Sequence, residues 1–181
     1  MNTDFFVKIL SAVQQRHPLV HQITNYVTVT DCANATLAIG GSPVMAHSIL
    51  ETAEMASLSQ AVLLNIGTPD ETSAAAMLRA GQAANRNKIP VVLDPVGAGA
   101  TPFRKELCET LLHGMQVDIL RGNQAEIRAL LQLSSGTREL TAWMIRRISE
   151  NWLPVLRENS IASPLSPGGL TASATGKSLS A

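Results

Sequence analysis

AVLLNIG (61–67), IPVVLDPVGAG (89–99) and VDILRGN (117–123) are three apolar runs, each closed by a polar or glycine-rich turn. Residues 70–86 and 102–113, which separate the runs, have the composition and length of helices, and AEIRALLQL (125–133) follows the last run. Parallel strands buried on both faces read as unbroken apolar stretches instead of alternations. Their regular exchange with helices predicts right-handed βαβ units and a parallel sheet, the α/β class. The strand-end turns are Asn65-Ile66-Gly67-Thr68, Asp94-Pro95-Val96-Gly97 and Arg121-Gly122-Asn123. Open parallel sheets bind ligands at their carboxyl ends, so these turns are expected to converge on one crevice.

Upstream, TDFFVKILSAVQQR (3–16) spaces Phe5, Ile9 and Val13, with Phe6 and Leu10, along one helix face. Thr3 or Asp4 can cap it, and Pro18 ends it. PLVHQIT (18–24) reads as a strand or a lead-in loop. DCANATLAIG (31–40) reads as a closely packed helix of small residues stopping at Gly40-Gly41, with Cys32 buried in it. SPVM (42–45) predicts a short strand and ILETAEMASLSQ (49–60) an amphipathic helix. From about residue 138 the rhythm stops. ELTAWMIRRISENWLPVL (139–156) can be written as one helix broken at Pro154, and residues 160–181 carry Lys177 as their single charge. That composition predicts disorder.

The 181 residues are enough for one domain with a sizeable core. Fourteen basic residues balance fourteen acidic ones, and the pI is near 6.9, which argues against a nucleic-acid surface. No apolar run approaches the ~18–20 residues that span a bilayer. The N-terminal MNTDFFVKIL lacks the basic region of a signal peptide. Two cysteines, Cys32 and Cys108, make neither a disulfide framework nor a metal knuckle. A cytoplasmic globular protein is expected.

Candidate chemistry sits at the strand ends. Asp94 follows VVL, and Glu126 stands three residues after Asn123 at a helix start. Two carboxylates on adjacent strand tips suit a Mg²⁺ ion that takes its other ligands from phosphate and water. Each also has a purely structural reading: Asp94 as a turn residue before proline, Glu126 as a capping-box partner of Asn123. Arg121 is placed to bind phosphate in bidentate fashion, or to sit on the surface, or to pair with Glu126. Gly97-Ala98-Gly99 is a weak phosphate signal, and neither GxGxxG nor GxxxxGK[ST] occurs. The four histidines, His17, His21, His47 and His113, have no metal spacing and read as ordinary polar or capping groups. Met45 reads either as core or as the floor of an apolar pocket.

HPLVHQITNYVTVTDCANATLAIGGSPVM (17–45), LLNIGT (63–68), IPVVLDPVGAG (89–99) and ILRGNQAEI (119–127) together resemble the hydroxyethylthiazole kinase family, order and spacing included. The resemblance covers residues 8–137. It implies a ribokinase-like fold that phosphorylates the hydroxyl of 4-methyl-5-(2-hydroxyethyl)thiazole with ATP and Mg²⁺ in thiamine biosynthesis. It also implies a homotrimer with sites at subunit interfaces. Position by position, Met45 matches the thiazole-contacting methionine and Arg121 the ATP-contacting arginine. Asp94 and Glu126 match acidic groups around metal and phosphates, and Asn25 a pocket position in the Thr-Asn motif. A related ribokinase-like kinase for another small alcohol fits less well, because SPxM and RGNxxE point to the thiazole enzyme.

The resemblance stops there. Family members continue with a strand ending in Val-Thr-Gly, a hairpin, and a Gly-Thr-Gly-Cys turn that serves the transferring phosphate; residues 138–181 contain none of these. Codons consistent with residues 138–145, read from their third base, encode Gly-Val-Asp-Ser-Leu-Asp-Asp. The same offset across residues 166–177 encodes Thr-Gly-Gly-Leu-Asp-Cys-Val-Ser-Asp-Gly-Lys. Both resemble the missing family segments at natural spacing. The expectation is a partial kinase domain at 1–137, incomplete at its C-terminal side, and an out-of-frame, largely disordered tail at 138–181. The alternative function is then a catalytically inactive fragment acting as a binding module.

Overall fold

The computed structural model describes residues 3–133. The elements run α1 (Thr3–Arg16), β1 (Leu19–Ile23), α2 (Val29–Ala38), β2 (Ser42–Val44), α3 (Thr52–Leu58), β3 (Ala61–Asn65), α4 (Glu71–Arg86), β4 (Val91–Asp94), α5 (Pro102–Gly114), β5 (Ile119–Leu120) and α6 (Gln124–Leu133). The strands form one sheet in the order β2-β1-β3-β4-β5, every pair parallel. The α/β reading holds, and 18–24 resolves as a strand.

The helices begin where side chains can replace missing backbone acceptors. Asp70 accepts the Ser73 N–H at 2.6 Å while the Ser73 hydroxyl takes the Asp70 N–H at 2.8 Å, a reciprocal box at the start of α4. Hydrogen bonds to that carboxyl from the Ser73 backbone N–H and from the Ser73 side chain hold Asp70 below its ordinary pKa. Thr101 caps α5 by accepting the Arg104 N–H, and Pro102 occupies the first turn, where its missing N–H costs nothing.

The core lies where α3, α4 and α5 meet the middle of the sheet. Val62, Leu64, Val91 and Leu93 are fully buried with Ala56, Ala76, Ala80, Cys108 and Leu111. Burial along β3 alternates, however. Ala61, Leu63 and Asn65 are only half buried, as is Val92 in β4. The expected burial of both faces is therefore met on one face among the described residues. Helix α2 also departs from expectation: none of its residues is fully buried, and Cys32 is partly exposed. It packs on β2, the edge strand among the described residues, and none of these closes against its other flank. The apolar stripe of α1 is open too, with Phe6, Ile9 and Leu10 each more than two-fifths exposed. Strand β5 is shorter than VDIL suggests. The Asp118 carboxylate accepts the Val91 N–H at 2.8 Å, so a side chain fills the place a ladder carbonyl would take. The helix read over 139–156 and the coil beyond it lie outside the described residues.

Among the described residues no helix is long and apolar enough to cross a membrane. The two thiols differ in chemistry. Cys108 is fully buried, and burial pushes its thiol up to about 12, leaving roughly 10⁻⁴ of it as thiolate at pH 8. Iodoacetamide at that pH should label Cys32 in the native chain and spare Cys108 until denaturant is added. Equal labelling rates would refute this packing of α5.

Candidate functional site

Sheet register sets the site. Asn65 of β3 pairs with Asp94 of β4, and Leu93 with Leu120, so Arg121 emerges level with Asp94 at the carboxyl edge. Arg121 Nη1 donates to Asp94 Oδ2 at 2.8 Å, with the aspartate side chain 10% exposed and the arginine 76%. Asn65 Nδ2 donates to the same Oδ2 at 3.1 Å. Asn65 Oδ1 accepts Asn25 Nδ2 at 3.3 Å and the Gly67 N–H at 2.8 Å. A hydrogen-bonded chain thus runs from Asn25 through Asn65 and Asp94 to Arg121, across the ends of β1, β3, β4 and β5. Its tightness explains Gly67: a Cβ there would lie 2.8 Å from the Asn25 Cβ.

Glu126 joins from α6. Its Oε2 accepts the Asn123 N–H at 2.8 Å and Asn123 Oδ1 accepts the Glu126 N–H at 3.0 Å, so the capping reading of Glu126 is realised. Its other oxygen does more, accepting the Gly97 N–H at 3.2 Å and so tying α6 to the β4–α5 turn. Gly97 itself has φ +68°, a conformation that favours glycine. A cleft of about 440 Å³ opens here, lined by Gly97, Gly99, Ala100, Asn123, Ala125 and Glu126 among others. The ion pair considered between Arg121 and Glu126 is not what forms: strand register puts Asp94 nearer, while the oxygens of Glu126 face backbone N–H groups.

Asp94 Oδ1 is buried and has no hydrogen-bond partner among the described residues. An acceptor left so costs about 1–3 kcal/mol, and a cation or a ligand donor would satisfy it. No group of three or more His, Cys, Asp or Glu side chains suited to a metal exists among the described residues. The donor set therefore suits an ion that keeps most of its ligands as water and phosphate, as Mg²⁺ does. It does not suit one caged by protein.

Met45 follows β2 and is half buried. β1 lies between it and β3, so Met45 stands at the same edge as Asn25, on the side of β1 away from Asn65. Tyr26 and Val27, next to Asn25, are 63% and 81% exposed.

Three residues of this edge escaped the pattern reading. In the sequence Asn65 stands only as part of a turn; its pairing with Asp94 needs the β3–β4 register. Arg104 donates through Nη1 to the carbonyls of Ile66 at 2.6 Å and Val96 at 2.7 Å, and through Nη2 to Gly67 at 2.5 Å. It clasps the two turns that carry Asn65 and Asp94. Nothing in its helical position announces this. His21, read as an ordinary polar group, is fully buried. Its Nε2 lies 2.6 Å from the Ala46 carbonyl, which can only accept, so Nε2 carries the proton. Nδ1 has no partner.

Burial lowers the His21 pKa, with the Ala46 bond and the Glu51 charge opposing. Protonation then favours the unfolded chain, whose histidine titrates near ~6.5. This part of the stability is complete above that value and is lost as pH falls from it toward the folded pKa. The urea midpoint should drop between pH 7 and pH 5.5, and His21→Gln should remove the histidine share of that drop. An identical pH slope in the variant would contradict the assignment.

A sequence model of the hydroxyethylthiazole kinase family matches residues 10–145. The chain is 48% identical over 139 residues to the hydroxyethylthiazole kinase of Clostridium botulinum, covering 77% of this chain and 50% of that one. It is 56% identical over 122 residues to the enzyme of the same name from Methanocella arvoryzae, covering 67% of this chain and 46% of the relative. The solved hydroxyethylthiazole kinase of Pyrococcus horikoshii superposes with a TM-score of 0.73 at 45% identity, over 81% of this chain and 59% of that one. The chain thus spans about half the length of the curated relatives it matches.

Proposed function

The chain belongs to the hydroxyethylthiazole kinase family, and we propose from that premise that the whole protein transfers the γ-phosphoryl group of ATP to the hydroxyl of 4-methyl-5-(2-hydroxyethyl)thiazole. The observation that carries this reading is the polar chain Asn25–Asn65–Asp94–Arg121 spanning four strand ends of a parallel sheet. Such an edge offers charge and positioning together, and phosphoryl transfer needs little else from a protein.

In this proposal Arg121 is the ATP ligand. Its guanidinium is mostly exposed, so it can turn its free N–H groups toward phosphate oxygens while Asn65 continues to hold Asp94. Asp94 and Glu126 are the residues that would hold Mg²⁺, which supplies neutralisation of phosphate charge when bound. Asp94 brings its unpartnered Oδ1. Glu126, both of whose oxygens already accept backbone N–H groups, would act through a remaining lone pair or a water. Met45 and Asn25 form the thiazole side, an apolar surface with a polar anchor, as a small neutral heteroaromatic ring requires. The protein works in the cytoplasm as a homotrimer. Exposed Tyr26 and Val27 beside Asn25 would then meet another subunit. Residues 138–181 are proposed to be an out-of-frame reading of the family's C-terminal part.

The test is ATP-dependent formation of the thiazole phosphate ester. Met45→Ala should weaken thiazole binding about tenfold, the loss of roughly 1.4 kcal/mol of apolar contact, with ATP binding unchanged. If the ester does not form even with the frame restored, or if Met45→Ala binds thiazole as before, the substrate assignment fails.

A further inference from the structure

Met45 sits in the short connection between β2 and α3, outside both elements. One residue of another strand brackets it from both sides. In the β1–β2 ladder, His21 is the register partner of Val44, immediately before Met45. The His21 side chain reaches to Ala46, immediately after Met45, and Nε2–H donates to its carbonyl at 2.6 Å. The residues on either side of Met45, Val44 and Ala46, are therefore both referred to a single residue. That residue is fully buried, so its ring is fixed by packing instead of by solvent. The Ser48 carbonyl accepts the Thr52 N–H at 2.9 Å farther along the connection, while the other side-chain contacts nearby are longer. The His47 Nδ1 contact to the Met45 carbonyl is 3.4 Å and exposed, and Arg79 Nη1 reaches the Ile49 carbonyl at 3.4 Å.

We propose that His21 is a positioning residue for the substrate edge: its imidazole N–H pins Ala46 and thereby fixes where the Met45 side chain stands. This rests on the reading of Met45 as a thiazole contact only for its consequence in binding; the bracket itself is a property of the free chain. The polar atom doing the work is a single donor, so the chemistry predicts which replacement will serve. Glutamine places an amide N–H close to where imidazole Nε2 stands. Leucine has comparable bulk and no donor, and it leaves the half-buried Ala46 carbonyl without its partner.

The test reads the Met45 methyl resonance in the full 181-residue chain, labelled at methionine methyls and assigned with Met45→Leu. His21→Leu should shift that resonance and raise amide exchange at residues 45–48 at least tenfold. His21→Gln should leave both within twofold of the unsubstituted chain. The methyl of Met77, buried in the core, should move in neither variant. If His21→Leu leaves Met45 where it was, or if Met77 moves as much as Met45, the positioning role is overturned. Should His21→Leu fail to fold, His21→Gln still decides: a displaced Met45 in that variant is a result against the donor argument. Titration with hydroxyethylthiazole, read at the same methyl, separates the two proposals. A chain that shows no thiazole shift counts against the substrate reading, while the Met45 position in the variants still settles the bracket. Where thiazole does bind, its affinity should fall about tenfold in His21→Leu, with ATP affinity unchanged.

Discussion

A protein restored to the alternative frame after Thr137 should phosphorylate hydroxyethylthiazole at least ~100-fold faster than the 181-residue chain. Two independent losses lead to that figure. The first is chemical. The Gly-Thr-Gly-Cys turn that the family resemblance implies does not occur in residues 138–181, and under the proposed function withdrawing even one positioned donor from a reacting oxyanion costs about 10²–10³ in rate. Asp94 and Arg121 stand at strand ends and Glu126 in the first turn of α6, and none of them can stand in for donors on a later element. The second loss is in packing. Among the described residues β5 is an edge strand with Ile119 38% exposed, and Leu63 and Val92 are half buried on a face that strands of this kind normally have covered. Restored residues would have that surface to pack against, so the longer product should also melt higher and aggregate less. Resequencing the codons for residues 136–139 is the direct check on the frame. If the two proteins turn over at similar rates, the tail as written has a role and the out-of-frame proposal is wrong.

The fold was legible because its signals are local. Three apolar runs separated by helix-length stretches leave few topologies once parallel crossovers must be right-handed, and Asp70 and Thr101 mark helix starts by chemistry confined to a few neighbouring residues. The convergence of Asp94, Arg121 and Glu126 on one edge was legible for the same reason: the first two stand at strand ends, and the third follows β5 in the first turn of α6. What could not be read is whatever depends on register between distant strands. Arg121 pairs with Asp94 and not with Glu126 because β4 and β5 align Leu93 with Leu120. Asn65 acquires its role only because β3 aligns it with Asp94. The openness of α2 follows from its lying over an edge strand, and its small residues, which suggest close packing, carry no information about that. His21 and Arg104 are the extreme cases. Each acts on backbone carbonyls 25 or more positions away, and a carbonyl leaves no trace in a side-chain pattern.

Arg104→Met should destabilise the chain by about 2–3 kcal/mol, with Arg104→Lys recovering less than half. The guanidinium serves three carbonyls at 2.5–2.7 Å, those of Ile66 and Gly67 after β3 and of Val96 after β4. Ile66 is fully buried, so its carbonyl has little water to turn to when the donor goes. Methionine keeps much of the unbranched stem and removes the fork, so the loss isolates the hydrogen bonds from the packing. Lysine keeps the charge but offers one rotating ammonium where two nitrogens at fixed spacing are needed, and it cannot reach both turns with the same geometry. The two turns carry Asn65 and Asp94, which Arg104 therefore holds in register from behind while Arg121 and Asn65 hold the carboxylate from the front. Loosening the clasp should consequently show up twice: in the urea midpoint, and as faster amide exchange concentrated at residues 65–68 and 95–98. Uniform acceleration across the sheet would mean that Arg104 contributes only general stability. A midpoint shift below about 0.5 kcal/mol, the range of an ordinary surface substitution, would mean that the three carbonyls find other partners and that the clasp does not hold the site together.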